Sequence, residues 1–187
     1  MEIRILTEND AYEFKRLRLE SLECEPLAFG RDLEEERALP LETVAYRLQA
    51  IPHGSFTVGA FQEGALVGLA GFVRYAAPKE CHKGNIWGVY VKRAWRGQGI
   101  ARAMLNCILE RAQGYVDLEQ ICLTVSVAQE PARMLYKTLG FETFGYEKHA
   151  LKVGEIYVDE EHMVLWLRPR KHERFEFDCT ASLGEET

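Results

Sequence analysis

The residues best suited to chemistry stand together in Lys92-Arg93-Ala94-Trp95-Arg96-Gly97-Gln98-Gly99-Ile100-Ala101-Arg102. Before them runs a β-rich stretch ending at Val91. After them Ile100, Ala103, Met104, Cys107 and Ile108 recur at helical spacing. Two glycines around one residue, where a strand passes into a helix, let the backbone turn tightly and approach a ligand with no Cβ between them. The first amides of a helix have no carbonyl partner within it, and they point outward at the positive end of the helix dipole. Such a junction binds anions, and Arg93, Arg96 and Arg102 add charge around it, so a pyrophosphate fits. Taken alone, glycines here serve a plain turn equally well. The segment has neither the Walker spacing nor the three-glycine dinucleotide fingerprint.

A second segment, Gln129-Glu130-Pro131-Ala132-Arg133-Met134-Leu135-Tyr136-Lys137-Thr138-Leu139-Gly140-Phe141, follows a strand-like run and places Tyr136 near the end of a short helix. The two segments together resemble the GCN5-related N-acetyltransferase (GNAT) superfamily. Its first signature, [Q/R]-x-x-G-x-[G/A], is matched by Arg96, Gly99 and Ala101. Its second, N-x-x-A-x-x-L-Y-x-x-x-G-F, is matched by Ala132, Leu135, Tyr136, Gly140 and Phe141, with Gln129 in place of the usual asparagine. The order of elements agrees over residues 2–167.

The resemblance implies an acetyl-CoA cosubstrate and no metal. By it, Arg96, Gly97, Gln98, Gly99, Ile100, Ala101 and Arg102 grip the pyrophosphate, and Val89, Tyr90 and Val91 offer backbone bonds to the pantetheine arm. Gln129 touches that arm from a shifted position. Tyr136 becomes the general acid that protonates the departing thiolate, where a lone tyrosine would read as a core aromatic with its hydroxyl at the surface. The stretch Tyr157–Met163 is similar to bacterial small-molecule members, which implies a small primary amine as acceptor. An alkylammonium with a pKa near ~10.4 must lose a proton before it attacks. Glu80, His82 and Asp159 are candidate bases, each otherwise a solvated surface group. Glu155, Asp159, Glu160 and Glu161 are candidates to attract the amine, and Phe29, Tyr46 and Tyr75 to wall its cleft.

The elements that must carry these residues are legible in outline. Glu2–Leu6 reads as a strand, and Thr7 with Asp10 gives a capping pattern before a helix carrying Ala11, Phe14, Leu17, Arg18 and Leu22. Leu41–Ala50 reads as a second helix, stopped by Pro52. The charged stretch Asp32–Arg37 between them reads as a solvated helix face or loop. Phe56–Phe61 and Leu66–Tyr75 flank the turn Gln62-Glu63-Gly64-Ala65 as a hairpin, and Ile86–Val91 follows as a third strand. A helix over Gly99–Gln113, a strand over Ile121–Val127, a helix over Glu130–Leu139 with a glycine cap at Gly140, and strands at Phe144–Tyr146 and His162–Leu167 complete the order. The expected fold is α/β (α+β): a mixed, mostly antiparallel sheet of six to seven strands flanked by about four helices. Residues 1–168 form the domain, and 169–187 an extra strand or a flexible tail.

Bulk properties narrow the partners. The chain has 187 residues, 47% of them hydrophobic, and carries 29 acidic against 23 basic residues. That is enough for one substantial core, and the net charge of −6 opposes a general nucleic-acid binder, which needs a basic face. Five cysteines, Cys24, Cys81, Cys107, Cys122 and Cys179, contain no C-x-x-C pair, so neither a disulfide framework nor a zinc site is indicated. No basic-then-apolar leader opens the chain and no membrane-length apolar run interrupts it, which makes a cytoplasmic monomer or homodimer the expectation. Further readings of two kinds compete with catalysis on a small amine. One is a CoA-sensing module without activity, or an enzyme acting on a protein N-terminus or lysine; the other is a protein in which Gly97 and Gly99 are turn residues only.

Overall fold

The computed structural model describes residues 1–52 and 54–168. The tail over 169–187, with Cys179, lies outside the described residues. Seven strands form one sheet: β1 (Glu2–Ile5), β2 (Phe56–Gln62), β3 (Ala65–Arg74), β4 (Lys83–Val91), β5 (Gln120–Ser126), β6 (Glu142–Val153) and β7 (Ile156–Trp166). Their spatial order is β1-β2-β3-β4-β5-β7-β6. The β4–β5 pair is parallel and the other pairings are antiparallel. Five α-helices accompany them: α1 (Ala11–Cys24), α2 (Leu33–Ala38), α3 (Leu41–Leu48), α4 (Ile100–Gln113) and α5 (Glu130–Thr138).

Strand alternation divides the core between the two sheet faces. On one face Ile100, Met104, Leu105 and Ile108 of α4 pack with Val58, Val67, Ala70, Ile86, Ile121 and Leu123, and Tyr136 and Phe141 join them. On the other, Ala11, Phe14 and Leu17 of α1 and Val44 and Leu48 of α3 meet Leu6, Leu66, Leu69 and Tyr90. The clamp at the start is an acid–base one: Arg4 donates to both carboxylate oxygens of Asp10 at 2.8 and 2.7 Å, and Asp10 also accepts from the Thr7 amide at 2.8 Å. It fixes β1 to the turn that launches α1. At the far end Gly140 takes φ +92° and the Phe141 amide donates to the Tyr136 carbonyl at 3.1 Å, the glycine cap that its sequence promised.

One element resolves an alternative left open by the sequence, and another extends beyond the sequence expectation. The stretch beginning at Asp32 is a helix, α2, and it brings the count to five. Asp32 caps it, accepting from the amides of Glu34 at 2.8 Å and Glu35 at 3.0 Å, and although charged almost throughout it buries Glu36. Its signal was the cap, since a helix of six residues has no room for an apolar stripe. The last two strands run much longer than Phe144–Tyr146 and His162–Leu167, as the hairpin β6–β7. β6 is an edge strand, exposed along most of its length, so few of its residues are selected for hydrophobicity. A register shift between Glu147 and Leu151, with His149 at φ +56°, further breaks its alternation.

Candidate active site

β4 and β5 are paired at Lys83–Asn85 with Gln120–Cys122 and then part. From Ile86 and Leu123 onward the sheet splits into a V, leaving main-chain groups along one side of β4 without a strand partner. The split is sharpened by a bulge. Leu69 faces Tyr90 and Gly71 faces Trp87, so Gly88 and Val89 both stand opposite Ala70, and Gly88 adopts φ +65°. The V opens as a cleft of about 430 Å³.

At one end of this cleft lies the start of α4. Gly97 and Gly99 both take φ +77°, and a Cβ at either would meet nothing within 4 Å, so the backbone there is bare to approach. From Gly97 to Arg102 no amide donates to a carbonyl of the described residues. The helical ladder resumes with the Ala103 amide on the Gly99 carbonyl at 3.0 Å. A run of outward amides at the positive end of a fourteen-residue helix is a concentrated donor site for an anion.

The cleft collects most of the residues singled out from the sequence. Val89, Tyr90, Val91, Arg96, Gly97, Gly99, Ile100, Ala101, Arg102, Gln129 and Tyr136 all line it, and Gln98 does not. The arginines around it serve partly structural ends. Arg96 donates through Nε to the Val91 carbonyl at 3.0 Å, pairs with Glu25 at 2.9 Å and lies over the Tyr90 ring. Arg102 donates to Thr138 Oγ1 at 2.6 Å, tying α4 to the end of α5. Tyr90 in turn donates to Glu20 at 3.2 Å, and burial first, then the Glu20 charge, push its phenol up to about 12.

Tyr136 projects from α5 into the cleft while its ring stays buried, edge-on to Phe141. Burial pushes its phenol above the ordinary tyrosine range, so it carries its proton at neutral pH. The helix bearing it is anchored from below. Glu161 of β7, fully buried, accepts from Arg133 of α5 and from Thr143, with Lys137 at 3.6 Å. Glu161 therefore faces α5 and is occupied by it, away from any incoming amine.

The candidate bases fall elsewhere: Glu80 pairs with Lys83 at 3.2 Å, His82 precedes the closed end of the V, and Asp159 accepts from the His149 amide at 2.8 Å. None of these lines the cleft, nor do Glu155, Glu160, Tyr46 or Tyr75, while Phe29 does. Glu25 was missed by sequence reasoning. It follows the last turn of α1 and bridges the two walls, holding Arg96 on one and accepting from Gln129 Nε2 on the other at 3.4 Å. Nothing local marks it, because its two partners arrive from distant segments.

Comparison with known proteins places these features in company. Residues 16–141 match the family model described as Acetyltransferase (GNAT) family. The chain is 33% identical over 102 residues to the L-amino acid N-acetyltransferase AaaT of Escherichia coli, covering 54% of this chain and 62% of that protein. It is 32% identical over 129 residues to the N-alpha-acetyltransferase RimI of Mycobacterium tuberculosis, covering 69% and 68% respectively. The chain thus spans less than two thirds of the Escherichia coli relative. The solved structure of yncA from Salmonella typhimurium with its cofactor acetyl-CoA superposes with a TM-score of 0.75 at 17% identity, over 91% of this chain and 95% of that one.

Proposed function

The chain belongs to the acetyltransferase (GNAT) family, and from that premise we propose that it transfers an acetyl group from acetyl-CoA to the primary amine of a small molecule. The observation that carries this reading is the unbroken run of unpartnered amides from Gly97 to Arg102 at the head of the cleft. Those amides suit the pyrophosphate of CoA, with Arg102 beside them. The unpaired side of β4 from Ile86 to Val91 suits the pantetheine arm, which presents amides and carbonyls of its own and can join the sheet as a strand does. Gln129 stands on the opposite wall with a side-chain amide able to reach the same arm.

Acetyl-CoA, when bound, supplies an activated acyl carbon whose bond to sulfur breaks as the new bond to nitrogen forms. The protein's part is placement and proton management. Main-chain N–H groups freed at the Gly88–Val89 bulge are suited to stabilise negative charge developing on the carbonyl oxygen, an effect worth roughly 3 kcal/mol in comparable sites. Tyr136 holds its proton and faces the cleft, the two properties a general acid for the leaving sulfur needs. A protein N-terminal amine is the second reading, favoured by the name of the Mycobacterium tuberculosis relative.

Gly99→Asp tests the premise, since it sets a carboxylate against the phosphate position in open space. Titration calorimetry is expected to show acetyl-CoA binding by the parent and none by the variant, with the circular dichroism of the two alike. Acetyl-CoA binding by the variant at parental affinity would contradict the assignment.

A further inference from the structure

Across the sheet from α4, beneath α1, α2 and α3, lies a second cavity of about 330 Å³. Its walls include Phe14, Val44, Leu48 and Trp87, and its charges are Arg18, Arg31 and Arg47 against the single carboxylate of Glu36. The cavity has a ligand-like composition: mostly apolar, with a few convergent polar groups. Arg18 is its unusual member. The residue is only 6% exposed, yet no carboxylate of the described residues lies within ion-pair distance of it. Among the described residues its one acceptor is Ser21 Oγ at 3.5 Å, and otherwise it is held against the rings of Phe29 at 4.9 Å and Trp87 at 6.0 Å. Burial disfavours its charge, an effect that Glu36 partly offsets. Glu36 itself lies nearer Arg31, at 3.9 Å. A buried guanidinium with five donors and so little to receive them is a fork awaiting an anion.

The position of this fork gives it a purpose. A Cβ built on Gly88, the bulge residue of β4, would lie 3.6 Å from Arg18 Nη1. Trp87 and Phe29, which flank the guanidinium, also line the cofactor cleft. The cavity therefore adjoins the cleft at the bulge, where the acyl carbon is placed under the reading above, but on the α1 face. An amine presented from this side has its other substituents in the cavity.

We propose that Arg18 receives the carboxylate of the acceptor, so that the substrate is a small amino acid-like molecule with an apolar body and an amine close to its carboxylate. The inference rests on the acetyltransferase reading for the identity of the reaction, and on the cavity for the anionic group. Glu36 offsets Arg31, which leaves the positive charge of Arg18 to a carboxylate. Gly71 supports the arrangement: a Cβ there would lie 2.1 Å from the Trp87 indole, so the glycine is what lets Trp87 lie flat as a wall.

Two measurements test this, and they fail separately. In the first, the parent is assayed for thiol release with L-phenylalanine and L-leucine, and with phenethylamine and isoamylamine, which keep the body and amine but lack the carboxylate. The expected result is a kcat/KM at least tenfold higher for the amino acids. Equal rates would overturn the carboxylate site and leave the acetyltransferase intact. In the second, 3-phenylpropionate, which has the carboxylate and no amine, is titrated against the protein by calorimetry and thermal shift. It should bind the parent, bind Arg18→Lys more weakly and not bind Arg18→Met. Because Met replaces a desolvated charge with an apolar chain of similar length, Arg18→Met should fold and keep its acetyl-CoA affinity. Absence of binding to the parent, or unchanged binding to a folded Arg18→Met, would overturn the proposal. Arg18-dependent binding with no acetyl transfer to any amine would instead uphold the site and refute the reaction.

Discussion

Tyr136 joins the core to the chemistry. Its ring belongs to the cluster around α4 and its face belongs to the cleft. Burial raises its phenol, so deprotonation of this group does not bring on the alkaline limb of a pH–rate profile near neutrality, and the phenol stays competent as a proton donor through neutral and mildly alkaline conditions. Tyr136→Phe keeps the ring and its packing against Phe141 while removing the proton. The expected outcome is a fall in kcat of about 10²–10⁴-fold, the range for loss of a positioned general acid, with the calorimetric affinity for acetyl-CoA unchanged. Undiminished turnover across pH would remove Tyr136 from the mechanism. Its candidacy as a general acid was legible only through the pattern in which it sits, because a single tyrosine in a helix carries no functional mark of its own.

At the scale of elements, the site depends on how α5 is seated. Glu161 beneath it is the hub, with Arg133 and Lys137 from α5 and Thr143 from β6 converging on one fully buried carboxylate. Burial alone would raise that carboxyl, but the hydrogen bonds from Thr143 and Arg133 and the charges of Arg133 and Lys137 outweigh it and hold it below its ordinary value. The stabilisation is therefore present above the unfolded value near ~4.3 and lost as pH falls through the folded one. Glu161→Ala should lower stability by about 1–3 kcal/mol, since it removes the acceptor of Thr143 and Arg133 and leaves Arg133 with the Val127 carbonyl and Tyr146. Urea unfolding followed from pH 7 to pH 3 checks both points: the parent should lose part of its advantage over the variant as pH drops, and a constant gap would refute the linkage. Sequence patterning anticipated α1, α4, α5 and the central strands closely, because the helices bury one face and β2 and β3 are apolar runs buried on both. It did not anticipate the full length of β6 and β7, and it left α2 open between helix and loop, because these are shaped by edge pairing and by a cap with little apolar burial to announce them.

For the whole molecule, the candidate site follows from a sheet that is incompletely closed. Five of the six neighbouring strand pairs stay joined, but β4 and β5 diverge after Asn85 and Cys122, and the bulge at Gly88 directs the freed edge into the gap. One face then presents the start of α4, and the other the cavity under α1 that holds Arg18. The first of these was readable from Arg96, Gly97, Gly99 and Ala101, since glycine spacing at a strand–helix junction has a local cause. The second was not: Arg18 looks like one more polar residue of an amphipathic helix, and Glu25 meets Gln129 only across 104 residues of chain. Local patterns reveal groups that act through their own backbone, and tertiary convergence alone reveals the rest.

The most direct test of the central claim is an amide nitrogen–proton correlation spectrum of the protein titrated to saturation with acetyl-CoA. The amides of Gly97 to Arg102 should show the largest changes, followed by those of Val89 to Val91 along the open edge of β4. Saturation that leaves the Gly97–Arg102 amides where they stand in the free protein, with the principal changes elsewhere, would contradict the account.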